Sequence, residues 1–210
     1  GNNLPPWGGA VPKLATNPIS IAIPSGGSAP FVLDFATTVA SMGKIKTTAQ
    51  RGERMPEGWM VDKQGAPLTD PPRASEGLLL PIGGYKGYAL GLAIGLLAGT
   101  LNGAAMGDSV VDMNGRPDEM TNTGQFICVI DPSVFGDAAA IADRVAGVAG
   151  EMRGSSVMPG FDEVRVPGDG RAARKGERAA NGVPIPNGLR GVLDRLADDL
   201  GIAPLDAKNE

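Results

Sequence analysis

The stretch LPIGGYKGYALGLAIGLLAGT, residues 80–100, decides most about how this chain folds. It begins with a glycine-rich turn that carries Lys86 and continues as a long apolar helix predicted to run to about Ala105. Three glycines recur at four-residue spacing along this helix: Gly91, Gly95 and Gly99. One helix face therefore has no side chains, which predicts close packing on a sheet or a partner subunit. A membrane span fits less well, because the apolar run is barely long enough and polar residues interrupt it.

The turn before this helix has two possible roles. Gly83 and Gly84 let a ligand approach the backbone closely, and the first amides of a helix favour anions. Lys86 adds a positive charge that suits a phosphate or a carboxylate. A solvated lysine on a glycine-rich turn explains the same residues equally well.

Upstream of this stretch, two short apolar segments predict a β-hairpin. The segments are Ile19–Ile23 and Phe31–Phe35, separated by a turn around residues 25–28. A helix over about residues 36–46 is expected next. Asp34 lies inside the second segment, where a carboxylate needs a partner. It could orient a catalytic histidine, bind a ribose hydroxyl, or cap the helix expected near Ala36.

Downstream, strand and helix patterns alternate irregularly. A buried strand is predicted over residues 125–130, with Cys128 as a small buried hydrophobic residue. Further elements are expected as a helix over 137–153, a strand over 164–166, a helix over 171–180, and a last helix from a cap at Asn187 to Gly201. The last helix is expected to bury Leu189, Val192, Leu193, Leu196 and Leu200. The alternation predicts an α/β fold, with α+β as the alternative, built on a mixed sheet flanked by helices.

A second glycine-rich turn, PGDG at residues 167–170, precedes the predicted helix over 171–180. Asp169 could accept hydrogen bonds from ribose hydroxyls or simply cap that helix, and spacing alone favours the cap. Arg171 or Arg174 could meet a phosphate. The chain has no Gly-x-Gly-x-x-Gly between a strand and a helix, and no Walker loop, so neither common nucleotide-binding fingerprint is present.

The amino-acid composition argues against several classes of function. The 210 residues carry a net charge of −4 and no basic stripe with interleaved aromatic residues, which argues against a nucleic-acid partner. A single cysteine excludes an internal disulfide framework and favours a reducing cytoplasm. The chain has no histidine, so it lacks the usual proton-transfer residue near neutral pH, and a zinc site is not expected.

Short motifs in a fixed order carry a resemblance to a known family. They are WGG (7–9), TNP (16–18), VLDFAT (32–37), GKI (43–45), PEGW (56–59), DKQG (62–65), TDP (69–71), LPIGGYKGY (80–88), NTGQ (122–125) and PGF (159–161). Each motif alone is weak, but the ordered set covers nearly the whole chain. On these motifs the chain resembles the malate/L-lactate dehydrogenase family, which includes ureidoglycolate and diketogulonate dehydrogenases.

The resemblance implies a fold unrelated to the Rossmann fold that binds NAD or NADP, in a protein that is typically a homodimer. Members interconvert 2-hydroxy and 2-oxo acids, or in one branch reduce cyclic imino acids. The cofactor contacts carried over from the family fall on three segments: Asp34, Phe35 and Ala36; Lys86; and Gly168, Asp169 and Gly170. Thr16 and Asn17 are the candidate substrate-binding residues.

The resemblance also implies that part of the catalytic machinery lies elsewhere. The family's catalytic histidine and its substrate-binding Ser-His and Arg lie upstream of the WGG motif, so we expect them on an N-terminal segment or companion chain, with Asp34 supporting that histidine. Tyr85 stands where many members have histidine. Residues 1–210 then form a cofactor-binding domain whose C-terminal helical segment, about 170–210, packs on or returns to the missing N-terminal domain. The competing hypothesis is a catalytically silent dinucleotide-binding remnant or partner-binding module.

Overall fold

A computed structural model of the protein describes residues 2–27, 29–113 and 115–205. The chain divides into two compact units, Gly1–Ala149 and Gly150–Glu210. Helices and small sheets together are consistent with the predicted α/β class. The predicted mixed sheet is wrong for this chain, because the strands in the described ranges form two separate antiparallel pairs.

The first antiparallel pair is the hairpin predicted from the sequence. Strand β1, Ile19–Ile23, pairs with strand β2, Phe31–Phe35, in a register that sets Ile19 opposite Phe35. The hairpin is only partly buried, because the side chain of Ile21 is 43% exposed and that of Ile23 is 39% exposed. Its turn contacts the helix α3, Ala138–Arg153, where the Gly26 amide donates to the carbonyl of Ala142 at 2.9 Å.

The second antiparallel pair lies in the small core of the first unit. Strand β3, Met60–Val61, pairs with strand β4, Leu78–Leu79, and helix α1, Met42–Gln50, packs against them. A short 3-10 helix, Pro71–Glu76, lies between these two strands in the sequence. The buried apolar side chains of this core are Ile45, Met55, Met60, Leu68, Ala74 and Leu79.

The start of α1 differs from the predicted helix over residues 36–46. The helix begins at Met42, where the Ser41 hydroxyl accepts a hydrogen bond from the Lys44 amide at 3.1 Å. Residues 36–40 instead form an irregular turn with Thr37 and Thr38 buried. Threonine hydroxyls that bond to nearby carbonyls compete with helix formation. The Thr38 hydroxyl does this with the carbonyl of Ala40 at 2.8 Å.

Helix α2, Tyr85–Ala98, is shorter than predicted and packs its glycine face within its own unit. A Cβ added to Gly91 would lie 2.8 Å from the Thr37 hydroxyl oxygen, and one added to Gly95 would lie 2.9 Å from the Asn17 amide nitrogen. The bare face therefore serves intrachain packing. No helix in the described part of the chain is long and apolar enough to cross a membrane.

Two helices of the second unit match the predicted positions. Helix α4 spans Asp169–Asn181, and helix α5 spans Asn187–Leu200 and ends at Gly201, whose φ is +64°. The predicted cap at Asn187 is wrong, because Pro186 occupies the N-cap position. The predicted burial is also wrong for four of the five apolar residues on that helix: Leu189 is 50% exposed, Val192 49%, Leu196 49% and Leu200 63%, whereas Leu193 is partly buried.

Two predicted strands are absent from the described residues. Residues 125–130 and 164–166 belong to no strand, and Cys128 is exposed rather than buried. A segment with the sequence pattern of a strand forms one only when its backbone amides and carbonyls hydrogen-bond to a neighbouring strand. Neither segment has such a neighbour in the part of the chain that the structure describes.

We expect Gly91→Ala to lower the free energy of unfolding of the first unit by about 1–3 kcal/mol, because the new methyl group would overpack a buried contact with Thr37. The matched control is Gly147→Ala on α3, which meets nothing within 4 Å and should raise stability by up to about 1 kcal/mol. Trp7 and Trp59 both lie in the first unit, so urea unfolding followed by tryptophan fluorescence measures both variants. Equal urea midpoints for the two variants would contradict the packing role of Gly91.

Candidate functional site

Three predicted cofactor residues end β2 and begin the turn after it: Asp34, Phe35 and Ala36. Asp34 is exposed and stands opposite Ser20 of β1. Because the next helix begins at Met42 and is capped by Ser41, the interpretation of Asp34 as a helix cap is wrong. The carboxylate instead lies on an exposed position of a hairpin, at the edge of the first unit's irregular turn.

That turn runs directly beside the approach to α2. The Ile82 amide donates to the carbonyl of Thr37 at 3.0 Å, and the Val39 amide donates to the carbonyl of Leu80 at 2.9 Å. Thr37 also contacts the glycine face of α2 next to Gly91. These bonds bring the first and second predicted cofactor segments together, although they are about fifty residues apart in the sequence.

The second segment is the exposed start of α2. Gly83 and Gly84 have φ angles of +57° and +66°, which L-side chains rarely adopt, and Lys86 is exposed on the first helical turn. Glycines here leave the first helical amides approachable, and a nearby lysine adds positive charge. The residues therefore fit an anionic group such as the pyrophosphate of a dinucleotide.

An aromatic pair flanks this helix start, and sequence reasoning did not identify it. The rings of Trp7 and Tyr85 lie 6.3 Å apart at 67°, an edge-to-face arrangement, and each residue is 59% exposed. A Cβ on Gly84 would lie 3.3 Å from the Trp7 ring, so glycine permits this approach. Trp7 belongs to the WGG motif. The sequence did not predict its contact with Tyr85, because the two residues lie far apart along the chain.

The candidate substrate residues, Thr16 and Asn17, adjoin the same region. The Thr16 carbonyl accepts from the amide of Thr37 at 2.9 Å and from its hydroxyl at 3.0 Å. The Asn17 side chain donates to the carbonyl of Gly91 at 2.7 Å, and its φ of +30° lies in the left-handed region. Both residues line a cavity of about 230 Å³ beside the glycine face of α2, together with Gly95, Gly99, Met106 and Thr123 among others.

The third cofactor segment lies in the second unit, at the start of α4. Gly168 precedes the helix with a φ of +107°, and Asp169 is its first residue. Both carboxylate oxygens of Asp169 are hydrogen-bonded to Arg153, at 2.8 and 3.0 Å, and one also accepts from the Val166 amide at 3.0 Å. These contacts fix the loop that leads into the helix.

Arg153 is a neighbour of the candidate residue Asp169 that sequence reasoning missed. It ends the predicted helix over residues 137–153, and Asp169 lies sixteen positions further along the chain, so no local pattern indicated the pair. The Arg153 guanidinium, and secondarily the Val166 amide, lower the pKa of Asp169 below its usual value, while burial opposes this. Asp169 therefore carries its negative charge throughout the neutral range. Within the described residues, no cluster of three metal-ligating side chains occurs.

These segments offer groups that can bind an anionic ligand. The first unit offers an approachable helix start with Lys86, and the second unit offers a glycine-rich turn whose carboxylate is held by Arg153. No histidine is present to exchange a proton near neutral pH.

Comparison with known proteins identifies the family. The family model described as malate/L-lactate dehydrogenase matches residues 1–194. The chain is 37% identical over 197 residues to a malate/(S)-sulfolactate dehydrogenase of Methanothermus fervidus, covering 94% of this chain and 56% of that protein. It is 36% identical to a Δ1-pyrroline-2-carboxylate reductase of Ancylobacter novellus, covering 91% of this chain and 55% of that protein.

Solved structures give the same result for the fold. The sulfolactate dehydrogenase of Methanocaldococcus jannaschii aligns with a TM-score of 0.82 at 35% identity, over 96% of this chain and 57% of that one. A malate dehydrogenase of Entamoeba histolytica aligns with a TM-score of 0.90 at 22% identity, over 98% and 60%. The chain thus spans a little more than half the length of the relatives it matches. It belongs to the malate/L-lactate dehydrogenase family.

Proposed function

We propose that this chain is the cofactor-binding part of an NAD- or NADP-dependent oxidoreductase that interconverts a small 2-hydroxy acid and its 2-oxo acid. The observation that carries the proposal is the family match over residues 1–194. Relatives named for malate, sulfolactate and ureidoglycolate support a 2-hydroxy acid, and relatives named as pyrroline-carboxylate reductases bring in a cyclic imino acid as the substrate alternative.

The dinucleotide is proposed to bind through the three segments predicted from the sequence. Lys86 and the first amides of α2 hold phosphate, Asp34, Phe35 and Ala36 form the adjoining wall, and Gly168, Asp169 and Gly170 supply a further contact. When bound, the nicotinamide supplies the hydride exchanged with C2 of the acid. Thr16 and Asn17 are proposed to face the acid.

The choice between the two nucleotides depends on the start of α4. A free ribose hydroxyl suits the Asp169 carboxylate, whereas a 2′-phosphate suits Arg171 or Arg174. The bidentate contact with Arg153 offsets the negative charge of Asp169 locally. Either NAD or NADP is proposed as the cofactor, and a binding experiment with each nucleotide distinguishes them.

The proton is proposed to come from a histidine on a segment that this chain does not contain, with Asp34 supporting it. The match to only part of each relative supports such a segment. The C-terminal helical segment, about residues 170–210, is proposed to pack on it, which fits the exposed leucines of α5. The protein is proposed to be a homodimer located in the cytoplasm, and the single cysteine supports the proposed location.

A second candidate function is a dinucleotide-binding or partner-binding module without catalysis. The observation that favours it is the absence of histidine from all 210 residues. The two candidate functions predict different results when a histidine-bearing family segment is added to this chain. The oxidoreductase should then show activity, and the non-catalytic module should not.

Lys86→Gln is expected to weaken NADH or NADPH binding by about tenfold or more, because it removes a charged partner of phosphate. Calorimetric titration of the 210-residue chain with each nucleotide measures this. Lys46→Gln on α1 is the matched control, since Lys46 is also exposed in the first unit. An equal loss of affinity in both variants, or no loss in Lys86→Gln, would show that Lys86 is not a specific contact.

The pure 210-residue chain is expected to show no NADH- or NADPH-dependent reduction of pyruvate or oxaloacetate, because it lacks the proton donor. Absorbance of the reduced nicotinamide follows the reaction. Adding the residues of the Methanothermus fervidus relative that this chain does not match is expected to produce turnover. Turnover by the chain alone would refute the missing-histidine proposal, and no turnover in an assembled complex would favour the non-catalytic module.

Acid is expected to destabilise the second unit through Asp169. Because Arg153 lowers the pKa of Asp169 in the folded protein, this contribution is complete above the ordinary aspartate pKa of about 4 and is lost as pH falls through the lowered value. Asp169→Asn should therefore lower the urea midpoint at neutral pH and reduce its dependence on acid, measured by circular dichroism. Glu177→Gln, an exposed change on α4, is the control, and an identical pH profile in both variants would exclude this role.

A further inference from the structure

Two aromatic side chains meet at the exposed start of α2, where the proposed function uses only Lys86. Aromatic residues make up only 4% of the chain. The rings of Trp7 and Tyr85 nevertheless lie 6.3 Å apart, and each residue is 59% exposed. The apolar core of the first unit contains neither ring, so core packing does not account for the pair.

Trp7 is held on a tight turn. A backbone hydrogen bond of 2.8 Å closes this turn over residues 6–9, and Gly8 within it has a φ of +81°, which favours glycine. Just before the turn, Leu4 is fully buried and pairs with Leu14 through backbone hydrogen bonds of 2.9 and 3.0 Å. The base of the turn is therefore fixed while its indole is exposed. An aromatic ring presented in this way loses little conformational freedom when a ligand packs on it.

Tyr85 supplies the second wall of an aromatic corner. It is the first residue of α2, and the absence of a side chain on Gly84 lets the Trp7 ring lie beside it. Because the two rings cross at 67°, a third flat ring stacked on Trp7 would meet Tyr85 at the same angle. Stacked and edge-to-face contacts are the two arrangements that aromatic rings prefer. The corner therefore fits a flat aromatic ring.

A positive charge adjoins this corner. Lys86 directly follows Tyr85 in the first turn of α2 and is exposed. A molecule that carries both a flat heteroaromatic ring and a phosphate matches the corner and the lysine together, and nucleotides have this combination. In NAD and NADP, one ribose joins each of the two rings to the pyrophosphate. An aromatic side chain of another polypeptide is the poorer occupant, because it brings no phosphate to Lys86.

We propose that Trp7 and Tyr85 form an aromatic platform on which a heteroaromatic ring of the nucleotide stacks while its phosphate lies at Lys86. The inference deepens the proposed function and rests on it for the class of ligand. The ring is either the adenine or the nicotinamide, which share the flat shape and the distance from the pyrophosphate.

The first test is calorimetric titration of the 210-residue chain with NADH and NADPH. Trp7→Ala and Tyr85→Ala should each weaken binding by at least about fivefold, because each removes a stacking surface. Trp7→Phe and Tyr85→Phe keep a ring and should retain most of the affinity, whereas Trp7→Leu should not. Since both residues are largely exposed, the urea midpoints of these variants should stay close to that of the unmodified chain.

Phe135→Ala is the matched control, because Phe135 is an aromatic residue of the first unit that is 75% exposed away from the platform. It should bind both nucleotides normally. Unchanged binding in both alanine variants of the platform, or an equal loss in Phe135→Ala, would overturn the proposal.

A spectroscopic measurement keeps the platform intact and identifies the ring. Trp7 and Trp59 are the two tryptophans of the chain, so Trp59→Phe leaves Trp7 as the only indole. Quenching of its fluorescence by AMP assigns the adenine. Quenching by oxidised nicotinamide mononucleotide, with a charge-transfer absorption band, assigns the nicotinamide, whose positive ring is attracted to the indole face. Either response supports the platform, and no response to either mononucleotide contradicts it.

The failure of this inference differs from the failure of the proposed function. If Lys86→Gln weakens NADH binding and Trp7→Ala does not, the platform is refuted and the proposed function stands. If Trp7→Ala weakens mononucleotide binding but the assembled complex shows no turnover, the platform stands and the enzyme is refuted. Self-association of the chain in light scattering that Trp7→Ala abolishes, without any effect on nucleotide binding, would assign the pair to a contact between polypeptides and overturn the platform.

Discussion

The side chain of Asn17 donates a hydrogen bond to the carbonyl of Gly91, and the hydroxyl of Thr37 lies where a side chain on Gly91 would be. Two otherwise irregular segments can approach α2 this closely only because that face of the helix is bare. The same Thr37 accepts at its carbonyl from Ile82, which leads into the helix start. The candidate substrate residues, the turn after β2 and Lys86 are therefore positioned by one packing contact.

The second unit uses a different interaction for the same purpose. Arg153 holds both carboxylate oxygens of Asp169, and the Val166 amide adds a third hydrogen bond, so the turn before α4 has a defined geometry. In the first unit, close packing on the glycine face of α2 positions the candidate binding segments. In the second unit, an ion pair does so. Both interactions orient the turns that carry the candidate cofactor residues.

Several surfaces of this chain have the composition of a protein interior. The strand-like segment at residues 125–130 is exposed, and so are two isoleucines of the hairpin and three leucines of α5: Ile21, Ile23, Leu189, Leu196 and Leu200. Relatives of this family extend well beyond the part that this chain matches. Exposed apolar surfaces of this kind are typical of places where another polypeptide segment packs.

Periodicity along the chain was enough to predict the hairpin, α2, α3 and the two helices of the second unit, because those patterns are local. The ordered motifs were enough to predict the family. The remaining features depend on contacts between residues that are distant in the sequence. Residues 36–40 became a turn because Thr37 and Thr38 are buried against the approach to α2, and Arg153 became the partner of Asp169 across sixteen residues. Residues 125–130 do not form a strand, because a strand requires hydrogen bonds to a second segment. The sequence pattern within a segment does not show whether such a partner is present.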